Sequence, residues 1–172
     1  MDLSTLGWNA HFEQHFTDLN QADWQPERVA RAHGRLYYLI AKAGELETEL
    51  AGRLKHHTET ASALPVVGDW VAAMPRPEEA GRAMIQAVLP RQSAFSRKVV
   101  GEHLTEEQVV AANVGTVFLV MGLDGDFNIR RIERYLTLAW DSGATPVIVL
   151  NKADMCAETD ARVAEVEAVA WG

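Results

Sequence analysis

Three side chains at fixed spacing, Asn151, Lys152 and Asp154, follow directly on the apolar run Val147-Ile148-Val149-Leu150. An ionised Asp154 can accept two hydrogen bonds, which matches the N1–H and exocyclic amino group on one edge of guanine. Adenine offers no such pair of donors, so binding it would leave a desolvated carboxylate unpaired. A site of that kind rejects the wrong ligand by roughly four orders of magnitude. Lys152 would lay its alkyl stem on the base plane, Asn151 would bond the base edge and brace neighbouring loops, and Ala153 keeps the turn compact. The same residues on a solvated loop would do none of this, and spacing alone leaves that alternative open. No Gly-x-x-x-x-Gly-Lys-[Ser/Thr] phosphate loop occurs in the sequence. Guanine recognition is therefore the only nucleotide chemistry with candidate residues, and no catalytic residue or metal ligand is assigned.

Such a loop needs a strand to present it. The unbroken run 147–150 predicts a parallel strand covered on both faces, with its ligand beyond the carboxyl end. Residues 109–121 predict a second buried strand. Between them, Asn128 is a candidate N-cap for a helix with Ile129, Ile132, Leu136 and Ala139 on one face and Gly143 past its end. A last helix over about 157–170 presents Val163, Val166 and Val169. This strand–helix–strand–helix order is α/β. Only about sixty residues of it are present, so the parallel-sheet domain stops part-way.

The preceding segment reads differently. Residues 29–40, 46–56, 67–74 and 83–89 are β-leaning runs separated by turn residues. They predict a small barrel, of SH3-like or oligonucleotide/oligosaccharide-binding (OB) type, with OB preferred. Residues 91–98 read as a basic linker. Before the barrel, Trp8, Phe12, Phe16 and Leu19 recur at helical spacing after a possible Asn9 cap, on a helix that packs on its own domain or docks a partner. His11 and His15 lie one turn apart without a carboxylate at ligand spacing, and are read as solvated face residues.

Charge divides the chain. It holds 16 Lys+Arg and 24 Asp+Glu, a net of −8. Residues 26–98 carry 11 basic and 8 acidic side chains, a net of +3, and the remainder is correspondingly acidic. The barrel is thus the candidate for meeting a polyanion. Arg28, Arg31, Arg35, Arg53 and Lys55, with Lys42, are candidate phosphate contacts, and Tyr37, Tyr38, His56 or His57 candidate stacking residues. A solvated face with core tyrosines is the competing reading. The expected domains are 1–25 (helical), 26–98 (OB) and 99–172 (partial α/β). Cys156 is the only cysteine, which excludes an internal disulfide or a cysteine-cluster zinc site and suits a reducing cytoplasm. No run is apolar and long enough to span a bilayer, and no secretory signal is apparent.

Taken together these residues resemble a known family, the circularly permuted GTPases of small-ribosomal-subunit maturation (the RsgA/YjeQ type). The similarity is carried by Val66-Val67-Gly68-Asp69-Trp70-Val71, Leu89-Pro90-Arg91-Gln92-Ser93 with Phe95-Ser96-Arg97, Ala111-Ala112-Asn113-Val114, Ile132-Glu133-Arg134-Tyr135-Leu136 and residues 147–154. Gly115 departs from an often acidic family position. The resemblance implies an OB domain contacting ribosomal RNA, then a GTPase domain whose guanine motif precedes its phosphate loop, then a zinc-binding helical domain. It implies GTP or GDP with Mg²⁺ in the complete protein, zinc only in a C-terminal part not present here, and the small ribosomal subunit and its rRNA as partners, with no membrane. The expected function is GTP binding and hydrolysis in late maturation of that subunit, this chain supplying the RNA-binding barrel and the guanine loop but not competent alone. The alternative is a non-enzymatic OB-fold module whose α/β half is a docking surface. An unrelated α/β domain with a chance Asn-Lys-x-Asp is a third possibility.

Overall fold

The computed structural model describes residues 2–41, 44–57, 61–75, 82–100 and 105–170, with only the backbone at 56–57, 61, 98–100 and 105–107. These residues fall into two compact units, Met1–Asn113 and Val114–Gly172.

In the first unit, β1 (Gln25–His33), β2 (Leu36–Ala41), β3 (Gly44–Leu50), β4 (Trp70–Met74) and β5 (Ala83–Val88) close into a barrel in the order β1-β2-β3-β5-β4. All pairings are antiparallel except β3 with β5. This closure is the five-stranded OB architecture, and it leaves no barrel strand with a free edge. Alternate residues point inward, so Val29, Tyr37, Leu39, Val71, Ala73 and Ile85 form the core. Trp70 lies on the opposite face of β4, yet it too is fully buried. The cover is α1 (Ala10–Asp18), capped by Asn9, whose side chain accepts from His11 N at 3.0 Å. Phe12, Trp70 and Leu89 make a second core, flanked by Leu3, Leu6, Trp8, Phe16 and Leu19. Trp8 meets Trp70 edge-on at 4.7 Å between centroids, an interaction worth about 1 kcal/mol beyond the area it buries. The aromatic helix therefore packs on its own domain. His11 is not merely solvated, because its Nε2 lies 3.1 Å from the Pro90 carbonyl oxygen.

Several strand expectations change. The run 29–40 is two strands, because Gly34 at φ +62° turns the chain between β1 and β2. The run 46–56 ends as strand at Leu50 and continues as α2 (Gly52–His57). Residues 91–98 are not a linker: β6 (Ala94–Val100) pairs with β7 (Thr105–Ala112) as a hairpin that stays with the barrel unit. The run 109–121 breaks at Asn113, whose φ of +54° a short amide side chain tolerates. Its Oδ1 accepts from Gln92 N at 2.9 Å, and its Nδ2 donates to the Gly68 carbonyl at 3.2 Å.

One buried ion pair organises these crossings. Asp69, fully buried, accepts from Arg91 Nε at 2.8 Å and Nη2 at 2.7 Å, and from Val66 N at 2.8 Å. Arg91 also donates to the carbonyls of Ser62 and Leu64 at 2.7 and 2.8 Å. Next to it Gly68, at φ +90°, lies so near β7 that a Cβ would sit 2.0 Å from the Ala112 oxygen.

In the second unit, β8 (Thr116–Gly122) pairs in parallel with β9 (Thr145–Asn151), from Thr116 opposite Thr145 to Gly122 opposite Asn151. Between them runs α3 (Ile129–Asp141), and α4 (Thr159–Glu167) follows β9. Asn128 caps α3 by accepting from Arg131 N at 3.0 Å. Ile132 and Leu136 of α3 pack with Leu119, Met121 and Val166. The strands are not covered on both faces. Ile132 and Leu136 of α3 and Val166 of α4 pack on one side of the sheet while Val163 of α4 stays exposed, leaving Phe118 67% and Val120 61% exposed beside Val147 and Val149 on the other. Among the described residues no helix is long and apolar enough to cross a membrane.

Removing one partner of the Asp69–Arg91 pair strands a buried charge. Arg91→Met is expected to lose about 3 kcal/mol or more in urea unfolding followed by tryptophan fluorescence, and Asp69→Asn/Arg91→Met together less than the sum of the two single losses.

Candidate functional site

The guanine-loop candidates share one turn at the carboxyl end of β9. Leu123 N donates to the Asn151 carbonyl at 2.9 Å, tying the ends of both parallel strands together. Asn151 Oδ1 then accepts from Lys152 N at 2.9 Å. Lys152 adopts a left-handed backbone, φ +60° and ψ 38°, a conformation that costs a non-glycine residue on the order of 1 kcal/mol. This reversal starts the short turn Ala153–Met155, which carries Asp154. Thr159 Oγ1 secures the turn from below, donating within reach of the Ala153 and Cys156 carbonyls at 3.2 and 3.0 Å. Asp154 is exposed, and among the described residues its carboxylate has no hydrogen-bonding partner. A carboxylate held on a braced turn with both oxygens open is chemically suited to a pair of N–H donors.

Asp124, absent from the sequence expectations, belongs to this site. It lies in the loop after β8, and its carboxylate pairs with the Lys152 ammonium. Gly122 makes room for it, since a Cβ there would stand 2.6 Å from Asp124 Oδ1. Its place was legible in principle, because the loop after the neighbouring parallel strand opens on the same end of the sheet. The hydrogen bond from Lys152 holds the Asp124 carboxyl below its ordinary value of 3.8. A carboxyl whose folded pKa is depressed stabilises the fold above its unfolded pKa, and that contribution is lost as pH falls through the folded value. The Asp124–Lys152 pair is therefore complete at neutral pH and opens only in acid below 3.8. Carboxyl NMR titration should show the Asp124 midpoint moving upward in Lys152→Met.

The barrel cations do not form one patch. Arg28 donates from Nη1 to the Leu6 carbonyl, from Nη2 to the Asn113 carbonyl at 2.9 Å and from Nε to the Gly68 carbonyl at 3.3 Å. It is partly buried beside Trp70, and desolvation pulls its pKa below the ordinary value. This guanidinium staples the fold, which withdraws Arg28 from the phosphate-contact set. Arg31 is exposed but paired with Glu45, and stacks over Tyr38 at 4.4 Å. Arg35, in the β1–β2 turn, and Lys55, on α2, line one cavity of about 340 Å³ together with Tyr37, whose hydroxyl pKa burial pushes up. Arg53 is exposed on the same helix. Lys42 and the side chains of His56 and His57 lie outside the described residues. A wider hollow of about 570 Å³ runs along α3 from Asn128 to Thr137 and contains none of the expected site residues.

A family model described as RsgA GTPase matches residues 88–172. The chain is 50% identical over 178 residues to the small ribosomal subunit biogenesis GTPase RsgA of Syntrophotalea carbinolica, covering 100% of this chain and 48% of that relative. It is 51% identical over 174 residues to the RsgA of Opitutus terrae, covering 97% of this chain and 47% of that relative. The chain thus spans about half the length of these curated relatives. The crystal structure of YjeQ from Thermotoga maritima superposes with a TM-score of 0.62 at 26% identity, over 84% of this chain and 48% of that one. That of YloQ, described as a circularly permuted GTPase, gives 0.56 at 16% identity over 86% and 47%, a likeness of fold alone. With the closed barrel ahead of a parallel strand ending in Asn151, Lys152 and Asp154, the chain is similar along its whole length to proteins named RsgA, and its residues 88–172 carry the RsgA GTPase family domain.

Proposed function

We propose that the protein containing this chain binds and hydrolyses GTP during late maturation of the small ribosomal subunit, and that this chain supplies its guanine-reading loop and an RNA-binding barrel. The observation that carries the reading is the open Asp154 carboxylate on a turn braced from β8, β9 and α4. In the bound state Asp154 accepts from the guanine edge, the Asn151 amide bonds the base and buttresses the turn, and the Lys152 stem covers the ring while Asp124 anchors its ammonium. These residues fit a guanine base. Mg²⁺ would neutralise charge on the phosphates of GTP, but among the described residues no three His, Cys, Asp or Glu converge as a metal site. Neither Mg²⁺ nor zinc is assigned a ligand here, and the residues of this chain are given no hydrolytic step. The names of the relatives support the ribosomal partner and, with it, a cytoplasmic place of work. Arg35, Arg53 and Lys55, which have no carboxylate partner among the described residues, support the rRNA interaction.

The test uses the longest protein that contains this sequence. Its GTP hydrolysis should rise on adding purified small ribosomal subunits. Arg35→Glu/Lys55→Glu should weaken subunit binding and lower its salt slope by roughly one for each phosphate no longer neutralised. An absence of GTP hydrolysis both with and without subunits would instead favour a non-enzymatic binding module.

A further inference from the structure

The barrel separates its cations into two classes. Arg31, Arg82 and Arg91 are answered by Glu45, by Glu47 and Glu49, and by Asp69, and Arg28 is taken up by carbonyls. Among the described residues no carboxylate pairs with Arg35 or Lys55, yet the turn and α2 bring both to the same cavity of about 340 Å³. Two like charges gathered at one hollow repel unless an anion joins them. The rest of the lining is not that of a simple anion hole. Leu50, Leu64 and the nearly buried Tyr37 belong to the lining, and Glu49 supplies a carboxylate whose Oε1 takes Arg82 Nη1 at 2.7 Å. Oε2 of Glu49 is thereby left as an acceptor at the rim. Apolar lining residues, one acceptor and two cations match the three parts of a nucleotide: ring faces, exocyclic amino group and phosphate. A hollow of this size takes one base and excludes a stacked duplex.

We propose that this cavity receives a single unstacked nucleotide of an RNA strand. Its base lies against Leu50, Leu64 and Tyr37, its amino group on Glu49 and its phosphate on Arg35 and Lys55. The inference rests on the RNA reading of the barrel and sharpens it. Where cytosine presents its amino group, uracil presents a carbonyl that the Glu49 carboxylate repels, so the site prefers adenine or cytosine to uracil.

The experiment is fluorescence anisotropy of labelled rA6, rC6 and rU6 with the longest protein containing this sequence, at two salt concentrations. Leu64→Trp fills the cavity without changing charge, and Glu49→Gln removes the anionic acceptor at constant shape. Both variants should weaken rA6 and rC6 by about tenfold, Leu64→Trp with the salt slope unchanged, and Glu49→Gln should spare rU6. Arg35→Glu should weaken all three oligomers and lower the slope. If Arg35→Glu weakens binding while Leu64→Trp and Glu49→Gln bind like the parent, the base pocket is overturned and the RNA-binding surface survives. If none of the variants changes binding, the barrel is not the RNA interface and both readings fall.

Discussion

The bidentate pair of Asp69 and Arg91 is the constraint on which the barrel unit depends. A fully buried carboxylate is tolerable only with its lone pairs filled, and here two guanidinium N–H groups and the Val66 amide fill them. The same arginine reaches two carbonyls of the preceding loop, so that loop, the start of β4 and the segment after β5 are fixed by one side chain. From this point the closure spreads. Gly68 meets the Ala112 backbone, Ala112 N donates to the Val67 carbonyl at 2.9 Å, and the β6–β7 hairpin is hooked onto the barrel. Trp70, the residue after Asp69, then anchors the aromatic N-terminal segment.

The second unit is held in another way. Its loop is positioned by main-chain geometry: two parallel strands in register, a hydrogen bond from Leu123 to Asn151, and the left-handed turn at Lys152. Charge bears on that turn through the Asp124–Lys152 pair. Such an arrangement gives an exposed carboxylate a fixed direction without burying it, so Asp154 can exchange water for a ligand edge at little cost. The other side of that sheet is an apolar face of Phe118, Val120, Val147 and Val149, larger than solvent usually meets on a parallel sheet.

Where period and spacing are local, the sequence was readable. The aromatic helix face, the Asn9 and Asn128 caps, the α3 stripe and the turn that carries Asn151, Lys152 and Asp154 beyond β9 all rest on interactions between near neighbours, and each is found where its pattern places it. What escaped the sequence depended on backbone conformation or on distant partners. Two strands looked like one across Gly34, and again across Asn113, because hydrophobicity does not record a positive φ. Arg28 looked like any exposed arginine on a strand, whereas its partners at Leu6, Gly68 and Asn113 come from three separate segments. Asp124 went unnoticed because its pairing with Lys152 exists only once β8 and β9 lie side by side.

The most direct measurement is calorimetric titration of GDP and ADP into the longest protein containing this sequence, with and without Asp154→Ala. The account predicts GDP binding far tighter than ADP, and a preference that collapses by roughly three to four orders of magnitude in the variant. An undiminished GDP preference in Asp154→Ala would mean that guanine is read elsewhere.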